Sequence, residues 1–465
     1  MEKIRFLLIG IMFTLTVSFA QDVKFPYTGA IKYPNGYMPT TLTEETFQSW
    51  YQKYKSGKLL ASCNDGIRTT CIGEDGEGVT KVESMGWATI IAAYMNDKET
   101  YDKLIKYYNS KKQSHGMMAW KANCGGIQDG GSASDGDLDV AFASVVAAWQ
   151  WGGQYVDDAK NIIKIVKKLI TNCNGTSVIV GGYGGNSPYG GCTETDISYY
   201  TPAFFREIAK FSGDDAWNKL ADDTYKVLES NANATTGLVP DWHRYNGGAP
   251  TGGRNHTYRY DACRVPWRIA IDYLWNGNEK AKAWCTKISN WANKIGPANI
   301  KDGYNLDGSP TGQYHNLSFV GGFAGASMCN SQEIADAFGK EMTKLGFDGG
   351  FWYHGFLGTI YALTITGHMW NPDLLTPSST IQNNPELSAF MTVTNTTNGK
   401  LNISGIRNAK SVLLTTLNGL QVKQTSLIAD GKTTLDISSV KKGCYIISVR
   451  GSKGKLQKGQ IVFVN

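Results

Sequence analysis

The chain has 465 residues, of which 42% are hydrophobic and 18% charged, a composition of folded domains that excludes a largely disordered protein. The formal net charge of +6 is unevenly placed, because the segment from Leu387 to the C-terminus carries +9 and residues 21–386 carry −4. Since nucleic-acid binding needs a basic surface, the acidic main body argues against a nucleic-acid partner and favours a neutral or weakly charged substrate.

The first predicted element is a secretory signal at residues 1–20. Two basic residues precede an apolar run over residues 6–17, and Ser18 and Ala20 supply small side chains for a cleavage site. The run is short for a membrane span, and no later stretch reaches about 18 uninterrupted apolar residues. We therefore expect an exported protein with no transmembrane segment and, since no cysteine lies near Ala20, no lipid anchor.

Twelve helical stretches follow, and they are of two alternating kinds. Six have an apolar stripe and a charged face, at 43–54, 98–108, 157–170, 215–228, 279–295 and 331–345. Six are apolar almost all round, at 83–95, 134–149, 199–209, 261–275, 317–328 and 351–365. A helix without a polar face must be enclosed, whereas a striped helix can cover the outside. The alternation predicts an all-α (α/α)6 toroid, with an inner ring of six helices inside an outer ring of six.

Three acidic residues open predicted inner helices. Successive helices in such a toroid run antiparallel, so the N-termini of all inner helices share one face. Glu83, Asp135 and Asp261 are separated by 52 and 126 residues, close to one and two helical hairpins. An ordinary helix cap explains any one of them, but the common position predicts that all three meet in one cleft. Asp137 and Asp139 are interpreted as caps or as residues that orient neighbours.

Two carboxyl groups in one cleft are what glycoside hydrolysis requires, one protonated to assist the leaving oxygen and one ionised to activate water or to attack. Sugar rings also present apolar faces that stack on aromatic side chains. The chain has 13 Trp and 24 Tyr, and several stand in loops near the acids. These candidate platforms are Trp120, Tyr183, Trp242, Trp352 and Tyr353.

Five ordered motifs surround these residues. They are Glu-x-Met-Gly-Trp at 83–87, Ala-Ser-Asp-Gly-Asp-Leu-Asp at 133–139, Ser-Tyr-Tyr-Thr-Pro-Ala at 198–203, Gly-Leu-Val-Pro-Asp-Trp at 237–242 and Tyr-Asp-Ala-Cys-Arg at 260–264. In these motifs the chain resembles glycoside hydrolase family 8, especially its clostridial-type endoglucanases, from about Tyr33 to Asn371. The resemblance implies an (α/α)6 barrel and hydrolysis with inversion of anomeric configuration.

The resemblance also implies roles for single residues. Glu83 is similar to the general acid, Asp261 to the base that activates water, and Asp135 to the acid that grips and distorts the sugar. Arg264 and Tyr199 match positions that orient the base and its water. The predicted substrate-binding set is Trp120, Tyr183, Tyr199, Tyr260, Arg264 and Trp352.

The sequence around two of these acids agrees with opposite protonation states. Glu83 lies in an apolar helix with Met85 and Trp87, and burial there should raise its pKa. Asp261 stands three residues before Arg264, a cation that favours the ionised form which a base requires.

Nine cysteines in an exported chain make disulfides possible, and the odd number leaves at least one thiol unpaired. Cys63 and Cys71 flank a short polar loop and are the favoured local bridge, although isolated buried thiols are an equal alternative. No Cys-x-x-Cys pair occurs and the six histidines do not cluster with cysteines, so we expect no metal site. We also expect no cofactor, because no Gly-rich phosphate loop follows a strand.

The sequence changes character after Trp370. Residues 373–388 are rich in proline and small polar residues and predict a linker between a catalytic domain at 21–372 and a C-terminal domain at 389–465. The last segment alternates apolar and polar residues between turn dipeptides, which predicts a small antiparallel β-sandwich. Its stretches 442–450 and 458–465 resemble the C-terminal sorting domains of the type IX secretion system, and a carbohydrate-binding module is the alternative.

The sequence as a whole predicts a secreted, monomeric, inverting endo-β-1,4-glucanase that cuts cellulose or mixed-linkage β-glucan and is exported by the type IX machinery. Residues 133–139 resemble the endoglucanase branch, and a cationic chitosan would be attracted only weakly by a body of charge −4. The alternatives are an endo-xylanase or chitosanase of the same family, a non-catalytic glycan-binding toroid, and a polysaccharide lyase, for which a basic cleft is expected.

Overall fold

A computed structural model describes residues 21–23, 25–371, 374–377, 392–396, 400–404, 409–416, 421–426, 433–441, 443–451 and 456–464. The predicted signal at 1–20 and most of the predicted linker lie outside these residues. The chain divides into two compact units, residues 1–380 and 381–465.

The described part of the first unit contains twelve helices in two layers. The outer helices bury one face, and they are α1 (Glu44–Ser56), α3 (Lys98–Ser110), α5 (Gln154–Val166), α7 (Ala216–Asn231), α9 (Glu279–Ile295) and α11 (Gln332–Leu345). The inner helices bury most or all of their residues, and they are α2 (Val82–Tyr94), α4 (Ser134–Trp151), α6 (Pro202–Ser212), α8 (Val265–Asn276), α10 (Leu317–Ser327) and α12 (Trp352–Ile365). Each inner helix contacts the next and α12 contacts α2, which closes the ring. The predicted (α/α)6 toroid is confirmed.

Two inner helices begin later than the sequence pattern predicts. Single 3-10 turns, Ile197–Tyr199 and Ala262–Arg264, precede α6 and α8. Pro202 and Pro266 lie in the first turn of these helices, where a missing N–H costs nothing and the fixed φ suits a helix start. The residues just before the helices therefore lie on tight turns at the mouth of the barrel.

Short strands occupy the connections that lead from an outer helix to the next inner helix. They are β2 (Leu60–Cys63), β3 (Gly66–Thr69) and β4 (Val79–Lys81) before α2, β5 (Lys121–Asn123) and β6 (Ile127–Asp129) before α4, β7 (Ile170–Cys173), β8 (Thr176–Ile179), β9 (Gly182–Gly184), β10 (Ser187–Tyr189) and β11 (Thr195–Asp196) before α6, and β12 (Trp242–His243) before α8. β1 (Gln21–Val23) pairs in parallel with β13 (Leu375–Pro377), which falls inside the predicted linker. The connections build the rim around the N-termini of the inner helices.

The helices α2 and α4 approach each other most closely where both carry glycine. A Cβ atom at Gly136 would lie 2.3 Å from the carbonyl oxygen of Val82 and 2.7 Å from the nitrogen of Glu83. On the facing helix, a Cβ at Gly86 would lie 2.9 Å from the carbonyl oxygen of Gly136. Real Cβ atoms do not approach backbone this closely, so the contact requires glycine and fixes the beginning of one helix against the other.

We expect Gly136→Ala to separate α2 from α4 and to lower both stability and activity. Backbone cannot yield as a flexible side chain does, so the cost is that of an overpacked core, about 1–3 kcal/mol or more. Thermal unfolding of the purified variant measures the loss. Gly78→Ala is the matched control, because Gly78 is exposed and a Cβ there meets nothing within 4 Å. Equal melting temperatures for the two variants would contradict the close-contact argument.

Two disulfides link residues of the described rim connections. Cys63 pairs with Cys124, and Cys173 with Cys192. The predicted local bridge between Cys63 and Cys71 is therefore wrong. The reason is strand register, since Cys63 lies at the turn end of the β2–β3 hairpin and Cys71 follows its opposite end. Among the cysteines whose side chains the structure describes, four are free and buried, at Cys71, Cys263, Cys285 and Cys329.

The second unit has seven described strands in two antiparallel sheets. One sheet has the order β14 (Thr392–Thr396), β15 (Lys400–Ser404), β18 (Thr433–Asp436), and the other has the order β17 (Gln421–Ser426), β16 (Ala409–Thr416), β19 (Gly443–Gly451), β20 (Leu456–Val464). Residues from both sheets form one core, which includes Leu401, Ile403, Val412, Leu414, Leu435 and Ile447. This is the predicted antiparallel β-sandwich. No helix in the described residues is both long and apolar enough to cross a membrane.

Candidate active site

The three acids predicted to meet in one cleft do meet, at the mouth of the barrel. Glu83 and Asp135 are the second residues of α2 and α4, and Asp261 is the residue before the 3-10 turn that leads into α8. The guanidinium of Arg264, from the same turn, lies between them with no exposed surface.

Arg264 contacts all three acids with its two terminal nitrogens. Nη1 donates to Glu83 Oε1 and, at 2.8 Å, to Asp135 Oδ2. Nη2 donates to Asp261 Oδ1 at 3.0 Å and to Ser198 Oγ at 2.7 Å. Sequence spacing indicates only the pair of Asp261 and Arg264, because the other two acids are more than a hundred residues away. The structure shows one cation shared by several carboxyl groups.

A fourth acid, Asp196 in β11, belongs to the cluster and was missed by the sequence analysis. Its side chain is fully buried, and Oδ1 accepts a hydrogen bond from the backbone nitrogen of Ser198 at 2.7 Å. Oδ2 lies 3.9 Å from Arg264 Nη2 and has no hydrogen-bond partner among the described residues. The only available signal was its place two residues before the 198–203 motif, which an ordinary turn residue would also occupy.

The surroundings raise the pKa of two acids of the cluster, Glu83 and Asp196. Burial raises the pKa of Glu83 to about 8, against the lowering effect of Arg264. Burial, and then the charge of Asp261, raise the pKa of Asp196 well above its usual range. One guanidinium cannot compensate four carboxylates in a buried site. The expected rise in the pKa of Glu83 is thus present, and its side chain holds a proton at neutral pH.

Asp261 is the most open acid of the cluster. Its side chain is 36% exposed, compared with 17% for Glu83 and 4% for Asp135. Trp242 Nε1 donates to its second oxygen, Oδ2, at 3.1 Å. Burial nevertheless raises the pKa of Asp261, and Arg264 opposes this without reversing it. Arg264 lowers the pKa of Asp261 as expected, but the expected net stabilisation of the ionised form is wrong, because burial outweighs a cation that is shared by several acids.

Two of the predicted substrate-binding aromatics lie beside Asp261. Tyr199 packs edge-on against the ring of Trp242, with ring centroids 5.6 Å apart. Arg264 Cζ lies 5.9 Å from the centre of the Tyr199 ring. Tyr260 is half-buried, and its hydroxyl donates to Asp302 Oδ2 at 2.9 Å. Arg264 and Tyr199 are buried, so of these three predicted substrate-binding residues Tyr260 has the most accessible side chain.

The other three predicted substrate-binding aromatics have different environments. Trp120 is half-buried, and its carbonyl oxygen accepts a hydrogen bond from the nitrogen of Val82 at 2.9 Å, so it lies beside the start of α2. Tyr183 is half-buried, and its ring lies 6.0 Å from that of His115, outside the acid cluster. Trp352 is 1% exposed, and its ring therefore offers no open face to a sugar.

Asp137 and Asp139 orient neighbours, as expected. Asp139 holds Arg268 with two hydrogen bonds, of 2.8 and 2.7 Å. Asp137 accepts hydrogen bonds from the hydroxyl of Tyr108 and the backbone nitrogen of Met118. Within the part of the chain that the structure describes, no group of His, Cys, Asp or Glu side chains has the arrangement of a metal site.

The site is suited to acid–base chemistry on one ligand. Glu83, whose pKa burial raises to about 8, can donate a proton, and Asp261 is the acid with most access to water. They contact different terminal nitrogens of Arg264. Asp135 lies beside the same nitrogen as Glu83, and its other oxygen, Oδ1, accepts a hydrogen bond from the backbone nitrogen of Gly136 at 2.8 Å.

Comparison with known proteins gives two family matches. Residues 27–368 match Glycosyl hydrolases family 8, and residues 395–463 match the Secretion system C-terminal sorting domain. The first match covers nearly the whole helical unit. The second covers most of the β-sandwich, where the sequence had left a carbohydrate-binding module as the alternative.

Similar proteins include Endoglucanase C of Ruminiclostridium cellulolyticum, 32% identical over 83% of this chain and 86% of that protein. Endoglucanase A of Acetivibrio thermocellus is 31% identical over 76% of this chain and 74% of that protein. Among solved structures, a β-1,3-1,4-glucanase from Paenibacillus sp. X4 is similar with a TM-score of 0.66 and 24% identity, covering 75% of this chain and 99% of that one. This structural likeness supports the fold.

Proposed function

This chain belongs to glycosyl hydrolase family 8, and we propose that it is an exported, inverting endo-β-1,4-glucanase that cuts cellulose or mixed-linkage β-glucan, with Glu83 as general acid and Asp261 as general base. The observation that carries the role assignment is the contact of both side chains with opposite nitrogens of Arg264. Activity as a glycoside hydrolase follows from the family, and the roles and the substrate are our proposal.

In the proposed reaction, water attacks the anomeric carbon as the bond to the leaving oxygen breaks. Asp261 accepts a proton from that water, and Glu83 gives its proton to the leaving oxygen. Asp135, held by Arg264, accepts hydrogen bonds from the sugar at the cleavage point. Asp261 then releases its proton to solvent and Glu83 takes one up, which returns Glu83 to its protonated state.

Inversion is characteristic of the family, and we take it as the mechanism of this chain. An inverting enzyme needs space between its two carboxyl groups for the attacking water, whereas a retaining enzyme brings them closer together. Glu83 and Asp261 contact different terminal nitrogens of one guanidinium. The greater exposure of Asp261 supports its role as the water-activating group.

A β-1,4-glucan is the favoured substrate because the relatives named above are endoglucanases. Endo-xylanase and chitosanase activities are the alternatives within the family. A non-catalytic glycan-binding toroid has no need of one acid with a pKa of about 8 beside a second acid open to water. A lyase acting on acidic sugars would need a basic cleft, whereas four acids share one buried arginine here.

The sorting domain supports export to the cell surface or the medium, with the type IX machinery as partner. The signal at 1–20, a monomeric state and the boundaries 21–372, 373–388 and 389–465 remain proposals. The two family matches, 27–368 and 395–463, fall inside the proposed domains and support them.

A substrate panel tests the proposed function. We expect the purified enzyme to lower the viscosity of carboxymethylcellulose and lichenan quickly, as an enzyme that cuts within chains does, and to leave xylan and chitosan nearly untouched. Proton NMR during the first minutes should show the α-anomer as the new reducing end, because inversion of a β-linkage gives α. Hydrolysis of xylan alone would overturn the substrate, and a β-anomer formed first would overturn the mechanism.

A further inference from the structure

A fifth acid, Asp241, lies beneath the turn that carries Asp261. Its Oδ1 accepts hydrogen bonds from the backbone nitrogens of Arg259, at 2.9 Å, and of Ala262, at 2.8 Å. These residues stand on either side of Asp261 in the chain. Oδ2 accepts a hydrogen bond from Asn255 Nδ2 at 2.7 Å, and the side chain is buried.

The turn needs such a partner because Asp261 is not inside a helix. It precedes the 3-10 turn Ala262–Arg264, and its own side chain caps no backbone group there. Backbone N–H groups at the start of a helix have no partner within the helix, and a buried one left unpaired costs free energy. Asp241 supplies the missing acceptor and holds both sides of the turn with one oxygen.

The next residue in the chain, Trp242, fixes the side chain of Asp261. Trp242 Nε1 donates to Asp261 Oδ2, and Arg264 Nη2 donates to Oδ1. The dipeptide 241–242 therefore fixes the main chain and one oxygen of Asp261, and Arg264 fixes the other oxygen. Its exposed surface remains directed to water, which is what a base that activates water requires.

We propose that Asp241 is a positioning residue for the reaction, which sets the backbone of the turn so that Asp261 meets its water at the right place. The proposal rests on the proposed function, because it takes Asp261 as the base. Asp241 touches no reacting atom and acts only through the turn. Hydrogen-bond acceptance rather than charge performs this task, so asparagine should replace it better than alanine.

The test measures kcat and KM on a soluble β-glucan for Asp241→Asn and Asp241→Ala. We expect Asp241→Ala to lower kcat about 100-fold with KM within about threefold, since a catalytic group displaced by about 1 Å costs that much. Asp241→Asn should recover kcat to within about tenfold of the wild type. Asp223→Ala is the matched control, because Asp223 is also buried and accepts a hydrogen bond from a backbone nitrogen, that of Ser177, at 2.7 Å. It should lower the melting temperature and leave kcat unchanged.

Sodium azide in an Asp261→Ala background separates positioning of the base from general damage. Azide attacks the anomeric carbon without losing a proton, the glycosidic bond breaks, and the leaving oxygen takes the proton of Glu83. Because this reaction does not use the Asp261 carboxyl group, adding Asp241→Ala to Asp261→Ala should leave the azide-dependent rate unchanged, although Asp241→Ala alone lowers kcat. If Asp241→Ala does not fold, Asn255→Ala, which frees the other oxygen of Asp241, should give a smaller loss of kcat that is likewise absent from the azide-dependent rate of the Asp261→Ala background.

Several outcomes would overturn the proposal. Wild-type kcat in Asp241→Ala, equal losses in the alanine and asparagine variants, or an equal loss of the azide-dependent rate when Asp241→Ala is added to Asp261→Ala would each do so. If the wild type cuts β-glucan and Asp241→Ala is equally active, the positioning role is wrong but the proposed function stands. A wild-type enzyme inactive on every polysaccharide of the panel would defeat the proposed function instead.

Discussion

Asp261→Ala is expected to reduce kcat on β-glucan by about 10³-fold or more, with little change in KM, and to regain activity in azide. Removing a general base leaves water without a proton acceptor, and such groups contribute about 10²–10⁴-fold. The side chain is 36% exposed, so its removal opens a space that a small anion can enter from solvent. Initial rates with and without azide measure the effect, and NMR identifies the product as a β-glucan fragment ending in an α-glycosyl azide.

Asp261→Asn should also be inactive, but azide should restore less activity to it than to Asp261→Ala. Both oxygens of Asp261 accept hydrogen bonds, from Arg264 and from Trp242, so the NH₂ group of asparagine would face a donor on one side. It would also fill the space that azide needs. Undiminished activity in either variant, or an Asp261→Ala enzyme that azide does not restore, would contradict the assignment of Asp261 as base.

The architecture could be predicted from the sequence because burial leaves a pattern. A helix enclosed on all sides, such as α4 or α12, loses its polar face, and a helix on the outside, such as α5, keeps one. The starts of α6 and α8 were less accurate. Apolar residues continue without a break from a 3-10 turn into a helix, so periodicity does not mark the boundary, although Pro202 and Pro266 do.

The acids of the site divide into those at helix starts and those on connections. Glu83 and Asp135 occupy equivalent positions in α2 and α4, so the topology alone brings them together. Asp196 and Asp241 come from or next to the short strands β11 and β12, whose places depend on long-range packing. No local pattern distinguishes such residues from ordinary turn aspartates, and only the structure reveals their contacts.

The aromatic residues illustrate a second limit. Sequence identifies side chains that could stack on a sugar but cannot tell the wall of a cleft from the layer behind it. Trp352 is enclosed, with its ring stacked on that of Trp87 and Lys81 Nζ on the ring 5.1 Å from its centre. The disulfide partner of Cys63 was missed for the same reason, since Cys124 comes from a separate hairpin.

Glu83→Gln gives the complementary prediction. Glutamine keeps an oxygen that can accept from Arg264 but has no proton to give, so we expect kcat on β-glucan to fall by about 10³-fold. An aryl β-cello-oligosaccharide that releases dinitrophenolate needs no proton on its leaving oxygen. On that substrate Glu83→Gln should retain a rate within about tenfold of the wild type. Asp261→Ala, in contrast, should lose activity on both substrates.

The pH dependence has a definite sign. Glu83 must be protonated to act, and burial raises its pKa to about 8, so wild-type activity on β-glucan should decrease as pH rises through about 8. In Glu83→Gln, assayed on the aryl substrate, this alkaline decrease should disappear. A wild-type profile that shows no loss there would contradict the role of acid.

Glu83→Gln should change stability in the opposite direction to activity. In the unfolded chain the pKa of glutamate is 4.5, whereas in the folded protein the pKa of Glu83 is about 8. Between these values the unfolded state binds fewer protons, so this residue makes folding less favourable as pH rises. Glu83→Gln removes that penalty, and its melting temperature should exceed that of the wild type by more at pH 8 than at pH 5. Glu207→Gln is the control, because Glu207 is a buried glutamate of α6 that lies outside the cluster around Arg264. It should not show the loss of kcat together with this gain in stability. Burial that keeps a catalytic acid protonated also makes the folded state less stable. The pH dependence of activity and that of the melting temperature both test this one physical cause.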